Sequence, residues 1–159
     1  LRTSVLNMEF FDRLLGEVVH EESDHIQKCF DHQMDHGIIV QDELRKLFMD
    51  PEQSDFGGLY DEEEQEEFIY QIFKAVACGG AMNQYEDILQ PYLDVTKAIY
   101  KDLCQVGKVL DKVQITSHVF QIDLDSVWPI PYMPHNFCYM ILDDKGTIHV
   151  WINQLIDVW

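Results

Sequence analysis

The run Lys112-Val113-Gln114-Ile115-Thr116-Ser117-His118-Val119-Phe120-Gln121 decides the fold class, because here the apolar residues change their period. Val113, Ile115, Ser117 and Val119 fall on one side of a chain with period two, the pattern of a half-buried strand. The adjacent pair Val119 and Phe120 shifts that pattern, which predicts a bulge or a strand end. Downstream, residues 137–142 and 147–152 flank Asp143, Asp144, Lys145 and Gly146, a hairpin signal. Pro129, Pro131 and Pro134 cannot serve a central strand and predict a loop.

Upstream of Lys112 the spacing is helical. Ser4 caps a first predicted helix carrying Val5, Met8, Phe11, Leu14, Leu15 and Val18. Ser23 or Asp24 starts a second with Ile26, Phe30 and Met34, which Gly37 ends. Ile38, Ile39 and Val40 form a short extended link to a third helix with Leu44, Leu47 and Phe48, stopping before Pro51. Residues 51–60 carry loop chemistry. Asp61 with Glu64 makes a capping box, and the apolar helix after it, from Phe68 to Ala77, ends at Gly79 and Gly80. A last helix starts near Gln84, breaks near Pro91, resumes through Tyr92, Val95, Ile99, Tyr100 and Leu103, and fades at Gly107. Helical 4–110 followed by β-rich 112–159 predicts one α+β domain over 1–159, an N-terminal helical cluster packed against a small C-terminal antiparallel sheet.

A chain of 159 residues buries about two thirds of its unfolded surface, enough for one core without disulfides. Hydrophobic residues at 47% and aromatics at 12% supply that core. Eleven basic residues against 29 acidic ones give a net charge of −18. Such a field repels phosphate backbones and anionic lipid, so nucleic acid and membrane are excluded as expected partners and a basic protein surface is the natural complement. Cys29, Cys78, Cys104 and Cys138 are scattered with no Cys-x-x-Cys pair, which predicts reduced, mostly buried thiols in a cytosolic compartment. No apolar run reaches the length of about 18 residues that spans a bilayer. The start at Leu1 without a methionine predicts a piece of a longer protein.

Motifs for chemistry are sparse. His32 and His36, four apart on the predicted second helix, could share a metal ion. No third ligand and no zincin glutamate accompany them, so a solvated polar face is the expected reading and a metal-dependent enzyme the lesser alternative. The acids Asp61, Glu62, Glu63, Glu64, Glu66 and Glu67 lack the alternate spacing and central glycine of a calcium loop and read as a helix start plus solvated face, or as a docking patch. No nucleophile elbow, phosphate loop or dinucleotide fingerprint is present. No cofactor is expected. Trp128, Trp151 and Trp159 crowd the C-terminal third, and Trp159 at the end is a candidate anchor for a partner.

One signature is longer than any of these. Gly79-Gly80-Ala81, Gln84-Tyr85-Glu86-Asp87, Pro91-Tyr92-Leu93, Thr96-Lys97 and Ile99-Tyr100-Lys101-Asp102-Leu103 follow one another closely. With Asp42-Glu43-Leu44-Arg45 before them and Gln114-Ile115-Thr116-Ser117, Val119 and Phe120 after, the sequence resembles the cilia- and flagella-associated protein 300 family. That resemblance covers most of the chain; it lacks the family's N-terminal region, and the loop 127–136 matches poorly. It implies a cytoplasmic and ciliary, axoneme-linked protein that acts without catalysis in assembling outer and inner dynein arms or in their intraflagellar transport. The implied partners are dynein preassembly factors, axonemal dynein subunits or intraflagellar transport machinery; a structural axonemal component is the alternative. Within the signature Tyr85, Tyr92 and Tyr100 share one helical face, which is either core or an exposed partner stripe. The expected docking residues are Asp61, Glu62, Glu63, Glu66, Tyr85, Glu86, Tyr92, Tyr100 and Trp159.

Overall fold

The computed structural model describes residues 1–34, 38–79, 86–128 and 135–154. A 3-10 helix, Met8–Leu14, opens the chain, followed by strands β1 (Lys28–Gln33) and β2 (Ile39–Asp42). Helices α1 (Glu43–Met49), α2 (Glu62–Gln65), α3 (Phe68–Cys78) and α4 (Gln90–Leu103) follow. The rest is β structure: β3 (Val106–Val109), β4 (Lys112–Ile115), β5 (His118–Gln121), β6 (Phe137–Leu142) and β7 (Ile148–Asn153). The class is α+β, as the change of period predicts. The strands form three antiparallel sheets, the hairpins β1-β2 and β3-β4 and the three-stranded β5-β6-β7.

The core gathers around α3, whose Phe68, Ile69, Tyr70, Ile72, Phe73, Ala77 and Cys78 are all buried. Phe11 stacks on Phe73 at 4.5 Å between ring centres, Phe48 from α1 meets it at 5.0 Å, and Tyr60 meets Tyr70 edge-on at 5.1 Å. On the sheet side Phe68 meets Tyr139 of β6 at 5.5 Å, so the helical core and the inner face of the sheet are continuous.

Several local expectations hold. Asp61 and Glu64 exchange both capping-box bonds. Helix α1 begins with Asp42 accepting from the Arg45 amide and ends before Pro51. The 137–142 and 147–152 hairpin is β6-β7, its turn held by Asp143, which accepts from the amides of Lys145 and Thr147.

Five readings are corrected. The first helix is a 3-10 segment capped by Asn7, not Ser4, because the Ser4 hydroxyl and amide are both taken by Glu67. The predicted second helix is strand β1: Phe30 stands 97% exposed, and the ladder to β2 pairs His32 with Val40 and Gln33 with Ile39. Pro91 does not break a helix but begins α4, in the first turn where a missing N–H costs nothing. Gly107 belongs to β3, where a Cβ would stand 2.8 Å from Cγ2 of Thr116 across the hairpin. The pattern also stays in register through Val119 and Phe120; the chain turns instead at Thr116 and Ser117, between β4 and β5. Gly80, Gln84 and the three prolines lie outside the described residues.

Candidate docking surface

His32 stands on a strand, and its Nε2 lies 2.9 Å from Oδ2 of Asp50; His36 lies outside the described residues. His32 therefore does not lie on the helical face that the spacing predicts. Among the described residues no group of three or more His, Cys, Asp or Glu is placed to hold a metal ion.

A cavity of about 420 Å³ lies between α3 and the sheet, lined among others by Gln71, Lys74, Cys78, His135, Tyr139 and Trp151. Burial pushes the Cys78 thiol up to about 12 and does the same to Cys104. Burial, then the Lys74 ammonium, push the His135 imidazolium below its usual range. No hydrogen bond joins Cys78 to His135. A nucleophilic thiol needs the opposite shift and a base beside it.

Buried polar groups serve the frame. Arg45 and Asp42, both nearly inaccessible, form an ion pair at 2.5 Å, and Arg45 donates to the Tyr92 hydroxyl, which accepts the Glu86 amide at 2.7 Å. This cluster ties β2, α1 and the start of α4 together. Glu67 does the same for the N-terminus, accepting from Ser4 while Arg2 bridges to it at 3.5 Å. Sequence reading missed both, since pairing across 47 and 63 positions leaves no local trace.

The expected docking residues separate on inspection. Tyr92 and Tyr100 are buried, and the Tyr100 hydroxyl donates to the Val5 carbonyl at 3.0 Å; their face is core, not a stripe for a partner. Tyr85 and Trp159 lie outside the described residues. Asp61, Glu62, Glu63, Glu66 and Glu86 are exposed. Two of these acids are already engaged: Asp61 caps α2, and Glu63 pairs with Arg2, raising the Arg2 pKa through that hydrogen bond. Glu64 pairs with Arg13 at 2.8 Å. Glu62 on α2 and Glu66 at its C-cap carry no ion pair among the described residues and present exposed negative charge.

The sequence pattern concealed a second exposed feature. Side chains of β5-β6-β7 alternate between a buried inner face, with Val119, Tyr139, Ile141 and Trp151, and an outer face with Phe120, Met140, Leu142, Ile148, Val150 and Ile152. Phe120 and the three β7 residues are 47–61% exposed. Both faces of this sheet are therefore largely apolar, with His118 beside Leu142 the exposed polar side chain of the outer one, whereas a sheet covered on one side alternates apolar with polar. No helix among the described residues is long and apolar enough to cross a membrane.

Fold and surface together define an acidic α+β protein whose inner polar groups hold the chain together and whose outer ones are mostly carboxylates. The family model for cilia- and flagella-associated protein 300 matches residues 1–153, and the chain belongs to that family, which is a cilia- and flagella-associated one and not a known enzyme family. It is 34% identical to the Cilia- and flagella-associated protein 300 of Chlamydomonas reinhardtii, over all of this chain and 65% of that protein. It is 30% identical to the protein of the same name from Paramecium tetraurelia, over 97% of this chain and 61% of that protein. The chain thus spans less than two thirds of the length of these curated relatives. No solved structure matches it.

Proposed function

We propose that this chain acts without catalysis, as an adaptor in the assembly or intraflagellar transport of outer and inner axonemal dynein arms, and that it moves between cytoplasm and axoneme. Membership of a cilia- and flagella-associated family carries the reading. The physics agrees with it: a net charge of −18 with Glu62 and Glu66 exposed at α2 and its C-terminal end attracts a basic protein surface, and burial pushes the Cys78 and Cys104 thiols away from reactivity. Dynein preassembly factors, axonemal dynein subunits and the transport machinery are the proposed partners.

The test is a pull-down with this chain from ciliated-cell cytoplasm across a salt series. Screening shortens the reach of charge to about 3 Å at 1 M salt, so recovery of ciliary partners should be strong at low salt and fade as salt rises. Recovery of none at low salt defeats the proposal. Sequential extraction of cilia separates the adaptor from a structural part: an adaptor leaves with detergent, whereas a structural part stays with the microtubules until high salt.

A further inference from the structure

The outer face of β5-β6-β7 has no covering layer among the described residues. Phe120, Ile148, Val150 and Ile152 together expose on the order of 400 Å² of apolar surface, the size at which a patch on a monomer commonly marks a binding site. Met140 and Leu142, half-buried between them, make the patch continuous across three strands. Cys138, on the same face at the far end, is buried, so the open part runs from Met140 and Ile152 towards the turn at Asp144.

The dimensions and the charge restrict what fits. Six residues of β7 extend for about 20 Å, and three strands span about 10 Å from first to last, the footprint of one α-helix of about 14 residues. A second copy fits poorly. Two such faces would bury only about 800 Å² in total, below the roughly 1,200 Å² of stable interfaces, and would bring together two chains of charge −18. The flank beyond Gln121 carries Asp123 and Asp125, while the turn at the opposite end balances Asp144 with Lys145. Charge therefore favours a basic occupant with its positive end at the Asp123 side.

We propose that this face docks an amphipathic, Lys- or Arg-bearing α-helix of a partner protein, apolar stripe inward, completing a helix-on-sheet layer that the described residues leave open. The inference extends the adaptor reading and rests on it for the partner's identity. The two fail separately, since the test below needs no ciliary protein.

The test uses a helical peptide of about 16 residues with leucines at i, i+3, i+4 and i+7 and lysines elsewhere. A control peptide carries glutamates in place of the lysines. Binding to this chain is followed by NMR of amides and methyl groups. Shifts should gather on β5, β6 and β7. The triple variant Ile148→Thr, Val150→Thr and Ile152→Thr keeps the charge and the β-branching, and it should weaken binding by at least about tenfold, with amide spectra elsewhere unchanged. The glutamate peptide should not bind. Asp123→Asn with Asp125→Asn should flatten the salt dependence. Binding unchanged by the triple variant, or shifts centred on α2, would show mere charge attraction and overturn the proposal. So would micromolar dimerisation of this chain that the triple variant abolishes. Failure of the peptide to bind the full-length Chlamydomonas relative, while it binds this chain, would mean that a segment of the family's own polypeptide covers the face, and would overturn it too.

Discussion

Helix α3 and the sheet β5-β6-β7 are equally apolar in sequence but differ in how completely they are covered. Phe68-Ile69-Tyr70 and Ile72-Phe73 are buried all round, between α1, α4, the N-terminal 3-10 segment and the sheet. Ile148, Val150 and Ile152 are as hydrophobic, yet more than half their surface meets water. Hydrophobic residues around a buried helix contribute to stability, whereas the outward ones of a half-covered sheet do not. The difference teaches that apolar content alone does not separate covered side chains from open ones, which only the packing of the elements decides.

The comparison is broken or sharpened by substitutions on each side. Phe73→Ala removes the ring that Phe11 and Phe48 pack against, and should cost about 3–5 kcal/mol in urea unfolding. A cost below about 1 kcal/mol would place the core elsewhere. Asp42→Ala leaves the Arg45 guanidinium without its carboxylate in a buried setting, with an expected loss of about 3 kcal/mol, read from the same transition. Asp61→Ala removes a surface cap and should cost about 1 kcal/mol, read as a shift in the urea midpoint with unchanged slope. The smallest effect should be a gain. Leu110 and Asp111 form the two-residue turn of β3-β4 at φ +50° and +64°, and Leu110 is 93% exposed. Leu110→Gly relieves a left-handed leucine and should stabilise by about 1 kcal/mol or less. Destabilisation would mean that the Leu110 side chain packs on something in solution.

What could be read in advance was local. The Asp61 and Glu64 box spans three residues and the β6-β7 turn four, so their signals are complete within a short window. Strand β1 misled because Ile26, Phe30 and Met34 repeat every four positions and satisfy a helix pattern, although Phe30 points to water. Pairing with β2 makes the segment a strand, and a periodicity count does not see that partner. Pro91 has two meanings, breaker inside a helix and starter at its first turn, and tertiary packing of Tyr92 against Arg45 selects the second. Of the candidate site, the exposed acids were readable from composition, while the fate of Tyr92 and Tyr100 depended on partners 47 and 95 residues away. The open sheet face was hidden because β7 alternates Ile, Val and Ile with His149 and Trp151, and only the fold shows which set lies outside.

The most direct measurement is the unfolding free energy of the Ile148→Thr, Val150→Thr, Ile152→Thr chain against the parent in urea. An uncovered face predicts agreement within about 0.5 kcal/mol, because exposed apolar side chains contribute little to stability. A loss above about 2 kcal/mol would show those side chains to be buried in solution and would contradict the account.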